Sequence, residues 1–259
     1  MNPKLGSTVG TRTDLQYPDR FLKFIDEVNR EGGAYHQMNF GQGLVLKGEY
    51  EMSRYLPYYG LPEDLKGKSV LDIGTAAGFF AIECARRGAN VTAMDIDDGR
   101  LVKGICDGLG LDVTYIRKNI FDLDKSCGSF DLVICGSLLL HLCDIFGAVR
   151  RIRSVCNGVA IVATGTIPGL FNVRWEISRW IRNFCGFDTR PLLQFVGIRE
   201  VISGSEFWTY WLANMAALKK MMLTAGFSRA EEVSQFTLYS VRGSPNRYAT
   251  PHGVLRGYV

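Results

Sequence analysis

The spacing of apolar residues changes near residue 68, where a regular alternation of two patterns begins. Short apolar runs alternate with amphipathic segments of helical length; the runs are SVLDI, ANVTAMDI, LDVTYI, SFDLVIC and GVAIVAT, ending at residue 164. Continuous apolar runs are typical of parallel strands buried on both faces, and their alternation with helices predicts a covered sheet. The pattern predicts helices over residues 78–87, 97–109 and 140–155.

The segment before residue 67 is predicted to cover this unit. Residues 18–30 carry apolar side chains at positions 21, 22, 25 and 28, a helical stripe that begins after Pro18 and Asp19. Residues 1–15 are polar, and this composition predicts a loosely packed segment. The remainder is aromatic and interrupted by glycines, with a short helix ending near Gly60. Because too little of it is apolar to form its own core, residues 1–66 are predicted to be an N-terminal helical cap.

The unit itself is predicted to span residues 67–259. A helix over residues 213–225 stops at Gly226, and RAEEVSQFTLYSV and HGVLRGYV then predict two closing strands. The whole pattern predicts an α/β, Rossmann-like fold: a seven-stranded, mostly parallel sheet with helices on both faces.

Residues 165–211 interrupt the alternation and contain all four tryptophans of the chain. An insertion here follows the fifth strand and lies over the carboxyl ends of the strands, where ligands of open α/β sheets bind. We therefore predict an aromatic lid, with Phe171, Trp175 and Trp180 as candidates for contact with an apolar or aromatic substrate. Packing in the core is the alternative for most of these rings.

The turn after the first strand of the sheet is the sharpest chemical signal. The sequence VLDIGTAAGFFA places a buried strand directly before a helix whose N-terminus can face a ligand. Gly74 allows the tight turn, and Gly78 lets the helix approach the strand closely. The free N–H groups of such a turn suit a carboxylate. The candidate binding residues of this motif are Asp72, Gly74, Thr75, Ala76 and Gly78.

Further candidate residues follow the next strands in order. Asp95 ends the second strand, placed to accept hydrogen bonds from both hydroxyls of a ribose, and Ile96 offers an apolar platform for adenine. After the third strand, Asn119 can contact the adenine edge while Ile120 packs on the ring. Gly136 and Ser137 end the fourth strand, where backbone carbonyls can hold an ammonium group.

A NAD-linked oxidoreductase uses a similar layout, so the glycine-rich turn alone leaves that class open. Here the spacing is D-x-G-x-x-x-G, and Ala76 occupies the position of the second dinucleotide glycine. An acid at Asp72 also suits a ligand with an ammonium group and hydroxyls better than a pyrophosphate. The motifs together favour S-adenosylmethionine (SAM), while structural roles stay open for Asp72, Asp95 and Asn119.

With these motifs, the chain from Lys68 to Val259 resembles the class I SAM-dependent methyltransferases. A narrower likeness, carried by AYHQMNFGQGLVLKGEYEMSRYLPYYG and by WLANMAALKKMMLTAGF, points to a branch related to tRNA wobble-uridine carboxymethyltransferases, which includes uncharacterised bacterial small-molecule methyltransferases. The tRNA enzymes carry a Tyr where this chain has Leu140, and residues 48–52 replace their Trp-rich, basic segment. Both departures favour ordinary SAM over carboxy-SAM, and a small molecule over tRNA.

The chain contains three histidines, which are the natural candidates for a general base. His141 follows the fourth strand, where the resemblance places the transferred methyl group, and is predicted to be catalytic; helix capping or packing is its alternative. His36 is a second catalytic candidate and its neighbour Tyr35 a substrate contact, both in the cap. His252, at the start of the last strand, is predicted to be structural.

Composition excludes several other classes of protein. The net charge of +4 comes from scattered basic residues, which is not the clustered patch of a nucleic-acid binder. Seven cysteines without a C-x-x-C pair favour reduced thiols, with neither a disulfide framework nor a metal site. A polar N-terminus and the lack of a long apolar stretch predict a protein without signal peptide or membrane span, hence soluble and cytoplasmic.

The sequence thus predicts methyl transfer from SAM to a small-molecule acceptor, with oxygen mildly favoured over nitrogen or carbon. A tRNA-modifying enzyme of the same fold remains one alternative. A non-catalytic, SAM-binding subunit is the other.

Overall fold

A computed structural model of the protein describes residues 17–167, 190–202, 205–242 and 249–259. Its helices are α1 (Asp19–Arg30), α2 (Leu56–Tyr59), α3 (Phe79–Arg86), α4 (Arg100–Leu109), α5 (Ile145–Val155) and α6 (Met215–Thr224). Its strands are β1 (Ala34–Gly41), β2 (Leu44–Leu46), β3 (Gly48–Glu51), β4 (Ser69–Ile73), β5 (Asn90–Asp95), β6 (Val113–Arg117), β7 (Phe130–Gly136), β8 (Cys156–Gly165), β9 (Leu193–Ile202), β10 (Ser205–Ala213), β11 (Arg229–Leu238) and β12 (Thr250–Tyr258).

The central sheet has seven strands in the order β11-β12-β8-β7-β4-β5-β6. The neighbours from β8 to β6 are parallel, whereas β12 runs antiparallel to both β8 and β11. The predicted seven-stranded, mostly parallel sheet is therefore confirmed. Because β4 and β7 are adjacent and parallel, their carboxyl ends bring the glycine-rich turn and Gly136 to the same edge.

Helix boundaries differ from the sequence prediction mainly where a side chain caps the helix. The predicted helix 140–155 begins only at Ile145, because the Asp144 side chain accepts a hydrogen bond from the Gly147 N–H at 2.7 Å. Leu139–His141 forms a separate 3-10 turn. This break points His141 away from the helix and toward β10.

The cap is mixed α/β, so the prediction of a helical cap was wrong for residues 34–51. These residues form a three-stranded sheet in the order β2-β1-β3. Along β1, Ala34, His36 and Met38 are buried in alternation, which is the period of a half-buried strand. The glycines around this segment concealed the alternation. In α1, Phe21, Ile25 and Val28 are buried as predicted, but Leu22 is 40% exposed.

The cap packs directly on the central unit through α1 and α4. Residues of α1 and β2 share one hydrophobic cluster with the sheet residues Val70 and Val254. At the rim of this contact, the Arg100 guanidinium lies 2.6 Å from Glu27 and 2.7 Å from Glu31. These ion pairs are exposed, so the buried apolar contact holds the two helices together.

Gly108 in α4 is the point of closest approach to α1. A Cβ there would lie 2.0 Å from the ring of Phe21. We expect Gly108→Ala to destabilise the protein by about 1–3 kcal/mol, because overpacking outweighs alanine's helix preference of about 1 kcal/mol. Urea unfolding of a double-mutant cycle with Phe21→Ala checks the cause. In the Phe21→Ala background the same substitution should stabilise; equal destabilisation in both backgrounds would contradict the contact.

The described part of the predicted lid is a β-hairpin formed by β9 and β10. It is anchored to the sheet edge because Thr166, directly after β8, forms a parallel bridge with Ala213. Residues 168–189, which include Phe171, Trp175 and Trp180, lie outside the described residues. Within the described ranges, no helix combines the length and the apolar character needed to cross a membrane.

Candidate active site

Asp72 ties the glycine-rich turn to the helix that follows it. Its side chain is 1% exposed. Its Oδ2 accepts a hydrogen bond from Thr75 Oγ1 at 2.7 Å and another from the Ala81 N–H at 3.1 Å. Burial raises the pKa of Asp72 to about 7. This geometry supports the structural role that the sequence left open for Asp72.

The raised pKa of Asp72 should make the free energy of unfolding depend on pH. When a carboxyl has a higher pKa in the folded state than in the unfolded state, its ionisation destabilises the folded protein. The contribution of Asp72 to the free energy of unfolding therefore falls as pH rises from about 4 to about 7. Asp72→Asn keeps an oxygen for both donors without the charge. Relative to wild type, its free energy of unfolding should therefore increase between about pH 5 and about pH 7 in urea titrations.

Asp131→Asn is the control for this experiment. Hydrogen bonds from Ser69 lower the pKa of Asp131. Its contribution is therefore already complete above the ordinary carboxyl pKa of about 4, and its relative stability should be flat over the same window. A flat profile for Asp72→Asn as well would contradict the buried, proton-retaining carboxyl.

Asp95, at the end of β5, faces the glycine-rich turn. Its Oδ2 accepts a hydrogen bond from the Ala76 N–H at 2.9 Å, and its Oδ1 accepts one from the Ile96 N–H at 2.7 Å. Ala76 has a left-handed backbone, with φ of 47°. Holding alanine in this region costs about 1–2 kcal/mol, so the bond to Asp95 helps to maintain the turn. Burial raises the pKa of Asp95, while both backbone donors oppose that rise.

A small cleft with a cavity volume of about 110 Å³ lies beside this carboxylate and is open to solvent. Five residues of the predicted cofactor site line it: Gly74, Asp95, Ile96, Asn119 and Ile120. Ile96 is 65% exposed, as an apolar platform requires. The Asn119 side-chain oxygen accepts from the Phe121 N–H at 3.0 Å, so this residue also caps a turn.

Sequence reasoning missed the other residues of the cleft wall, which are Ile73, Met94, Lys118, Leu138 and Leu142. Ile73, Met94 and Lys118 come from strand ends beside the predicted residues, a signal that could have found them. Leu138 and Leu142 come from the loop after β7. The φ of 71° at Gly74 favours glycine, and a Cβ there would lie 3.1 Å from Leu138, whose side chain would have to shift slightly.

The remaining predicted cofactor residues shape the turn and its surroundings. Thr75 is buried on Asp72, and Gly78 lies against Val102, where a Cβ would come within 3.2 Å. Gly136 lies against Phe80, and a Cβ at Gly136 would lie 2.7 Å from the Phe80 ring. These contacts pack α3 and the loop after β7 tightly around the turn.

Ser137 is the one predicted cofactor residue with an unused polar group. Its backbone is left-handed, with φ of 62°, and its Oγ is buried without a hydrogen-bond partner within the described part of the chain. The buried hydroxyl group of Tyr59 lies close to Ser137, and hydrogen bonding to Ser137 partly opposes the rise that burial causes in the pKa of Tyr59. Each hydroxyl can both donate and accept, so this pair retains the capacity to bind a polar ligand group.

The residues present therefore fit SAM. Asp95 can accept hydrogen bonds from ribose hydroxyls, and Ile96 presents an apolar surface to adenine. The N–H groups of Gly74, Thr75, Ala76 and Gly78 already donate hydrogen bonds within the protein, contrary to the free N–H groups expected from the sequence. Ser137 is therefore the candidate polar partner for the charged amino acid part of SAM.

A second group of side chains lies next to this cleft, and we call it the histidine cluster: Tyr35, His36, His141, Phe207 and His252. The Phe207 ring of β10 lies 5.5 Å from the His141 ring and 6.2 Å from the Tyr35 ring. The His36 ring lies 6.0 Å from Phe79, the first residue of α3 after the glycine-rich turn. The structure thus brings Tyr35, His36 and His141 together, from the cap and from the loop after β7.

The hydrogen bond of His141 determines which ring nitrogen is available. Its Nδ1 lies 3.0 Å from the Trp208 carbonyl oxygen. Because a carbonyl only accepts, Nδ1 carries the proton and Nε2 carries the lone pair. Burial lowers the pKa of His141, which keeps the ring neutral at pH 7. His141 therefore has the protonation state that a general base requires.

His36 is more deeply buried than His141. Its Nδ1 has no hydrogen-bond partner among the described residues, and burial lowers its pKa to about 3. A neutral ring with an unused nitrogen can bind a ligand group, but this low pKa makes His36 a weaker base than His141.

Comparisons with known proteins identify the family of the chain. A family model described as a methyltransferase domain matches residues 70–158, from the first strand of the sheet through α5. A ubiquinone biosynthesis O-methyltransferase of Coxiella burnetii is 34% identical over 175 residues, which cover 66% of this chain and 75% of that protein. An uncharacterized methyltransferase of Mycobacterium bovis is 29% identical over 123 residues, 47% of this chain; the match spans 61% of that relative's length.

Solved structures share the fold. The N-terminal domain of EvdMO1, determined with SAH bound, superposes with a TM-score of 0.60 at 13% identity and covers 92% of this chain and 96% of that chain. The Coxiella relative, at 34% identity over 75% of its length, shows that the chain belongs to the class I SAM-dependent methyltransferases. SAM is the cofactor of that family.

Proposed function

We propose that the protein transfers the methyl group of SAM to a small-molecule acceptor, and that an oxygen atom receives it. The observation that carries this proposal is the position of the histidine cluster beside the cofactor cleft. Leu138 lines the cleft, and the 3-10 turn that begins one residue later ends at His141. On the other side, Phe79 directly follows the glycine-rich turn, and its ring lies 6.0 Å from the His36 ring.

The chemistry follows from these positions. Bound SAM supplies an electrophilic methyl group on a sulfonium, and displacement from it is accelerated mainly by positioning and by exclusion of water. Within the histidine cluster, the Tyr35 ring packs against His36 and the Phe207 ring against His141, and the two rings lie 6.2 Å apart. His141 Nε2 can accept a proton from a hydroxyl of the acceptor as the oxygen attacks.

Oxygen is favoured over nitrogen or carbon for two reasons. A neutral histidine base suits a hydroxyl, whose proton must leave as the new bond forms. The Coxiella burnetii relative is named an O-methyltransferase, and its match covers most of both chains. The candidates Phe171, Trp175 and Trp180, which lie outside the described residues, remain proposed acceptor contacts.

The direct test incubates the protein with methyl-labelled SAM and a panel of acceptors: phenol, catechol, aniline, imidazole and unfractionated tRNA. We expect label in a hydroxylated small molecule and none in tRNA. Label in tRNA, with binding that weakens steeply as salt rises, would support the tRNA alternative. SAH binding without transfer to any acceptor would support a non-catalytic subunit and contradict the proposal.

A further inference from the structure

His252 is the member of the histidine cluster that the proposed mechanism does not use. It lies near the start of β12 and is 3% exposed. Its Nδ1 lies 2.8 Å from the Thr250 carbonyl oxygen, so Nδ1 carries the proton and Nε2 the lone pair. Nε2 is buried and has no hydrogen-bond partner within the described ranges. Burial lowers the pKa of His252 to about 4, so the lone pair is present at neutral pH.

An orphaned nitrogen at this depth is unusual for a residue that is only structural. Buried polar atoms nearly always find a partner, and leaving one unsatisfied costs about 1–3 kcal/mol. Packing alone would be served as well by an apolar ring, since His252 stacks on Phe236 at 5.6 Å with an interplanar angle of 17°. The described residues therefore leave this nitrogen available to a hydrogen-bond donor such as a ligand group.

The end of β8 connects His252 to the acceptor region. His252 is paired with Gly165, the last residue of β8. A Cβ at Gly165 would lie 3.6 Å from the side chain of Leu140, the residue before His141. His141 and His252 thus flank the end of one strand from its two sides. They are close enough for the charge of His141 to lower the pKa of His252 further.

His252 also shares the face of the sheet that the cap covers. Its cross-strand neighbour Phe236 belongs to the hydrophobic cluster that includes Tyr35, Phe79 and Phe207. Two imidazoles, each bonded to a backbone carbonyl through Nδ1, therefore carry the ring lone pair on Nε2 near the end of β8.

We propose that His252 is an acceptor-binding residue, whose Nε2 accepts a hydrogen bond from a hydroxyl or amine of the methyl acceptor next to the group that His141 deprotonates. This inference rests on the proposed function, because it places the acceptor beside His141. It assigns to His252 a role in acceptor affinity and selectivity, and to His141 the proton transfer.

Two substitutions separate this role from a structural one. His252→Phe keeps a ring to stack on Phe236 but removes the lone pair, whereas His252→Gln places an amide oxygen near the position of Nε2. For whichever panel acceptor is methylated, we expect His252→Phe to raise KM about tenfold, with kcat and SAH affinity little changed. His252→Gln should recover most of that loss. Unchanged KM in His252→Phe with full folding would overturn the inference.

Nuclear magnetic resonance of the intact protein supplies a readout that does not require turnover. Because the chain has three histidines, each ring can be assigned in protein labelled with ¹⁵N-histidine. Each panel acceptor is added to the SAH-saturated protein. We expect any acceptor that the protein methylates in the labelling assay to shift the Nε2 resonance of His252. A shift without methyl transfer would retain the binding site but reject the proposed function. If an acceptor is methylated but causes no shift, as when Nε2 binds only a buried water, the proposed role of His252 in acceptor binding would be wrong.

Discussion

Replacing His141 with alanine is expected to slow methyl transfer by at least about a hundredfold, because a positioned general base contributes about 10²- to 10⁴-fold. The Trp208 carbonyl holds the proton on Nδ1 of His141, so the lone pair is on the other ring nitrogen, Nε2. In wild type, kcat should fall only at pH below the ordinary histidine value of about 6.5, since burial lowers the pKa of His141 and the base must be neutral to act.

The control for this substitution is the affinity for SAH, measured by calorimetry, which should be unchanged because His141 is absent from the cleft wall. His141→Gln should be as slow as alanine, since an amide does not take a proton at neutral pH. A rate near that of wild type in both variants would leave His141 with a packing role only. The same result would remove the main support for a base-assisted transfer to oxygen.

Asp95→Ala is expected to weaken SAM and SAH binding about ten- to a hundredfold. Hydrogen bonds to a charged group contribute about 1.5–3 kcal/mol, and 1.4 kcal/mol corresponds to a factor of ten. The substitution also leaves the Ala76 N–H without its partner in a left-handed turn. Both effects act on the cofactor side of the site, so the KM for the acceptor should change far less than the affinity for SAH.

Asp95→Asn separates these two effects, because its oxygen can still hold the Ala76 N–H but carries no charge. We expect an affinity between those of wild type and the alanine variant. Asp112→Ala removes an exposed acid just before β6, at the opposite edge of the sheet, and should leave SAH affinity unchanged. Equal affinities for wild type and Asp95→Ala would mean that the ribose does not bind this carboxylate.

Much of the central sheet was predictable because its strands are continuous apolar runs separated by helices. The sheet of the cap was not, since β2 and β3 have three and four residues and are bounded by glycines. The β9–β10 hairpin was hidden for a different reason. Its strands are rich in aromatic side chains that also suit a helix or a lid, so composition alone did not fix the type of structure.

The cofactor side of the site was more readable than the acceptor side. Gly74, Asp95 and Asn119 each follow a strand of a parallel sheet, and such strand ends meet at one edge. His252 was predicted to be structural because nothing in its local sequence indicates a ligand. Only the antiparallel pairing of β12 with β8 brings it near His141. Contacts of this kind depend on strand order, which a single sequence does not display.

We propose above that the cleft beside Asp95 and the histidine cluster form one active site. A crystal structure of the protein with SAH and an acceptor that it methylates would show this directly. We expect ribose hydroxyls on the Asp95 carboxylate and the sulfur of SAH directed toward the acceptor oxygen, which contacts His141 Nε2. SAH bound elsewhere, or a sulfur directed away from the histidine cluster, would contradict it.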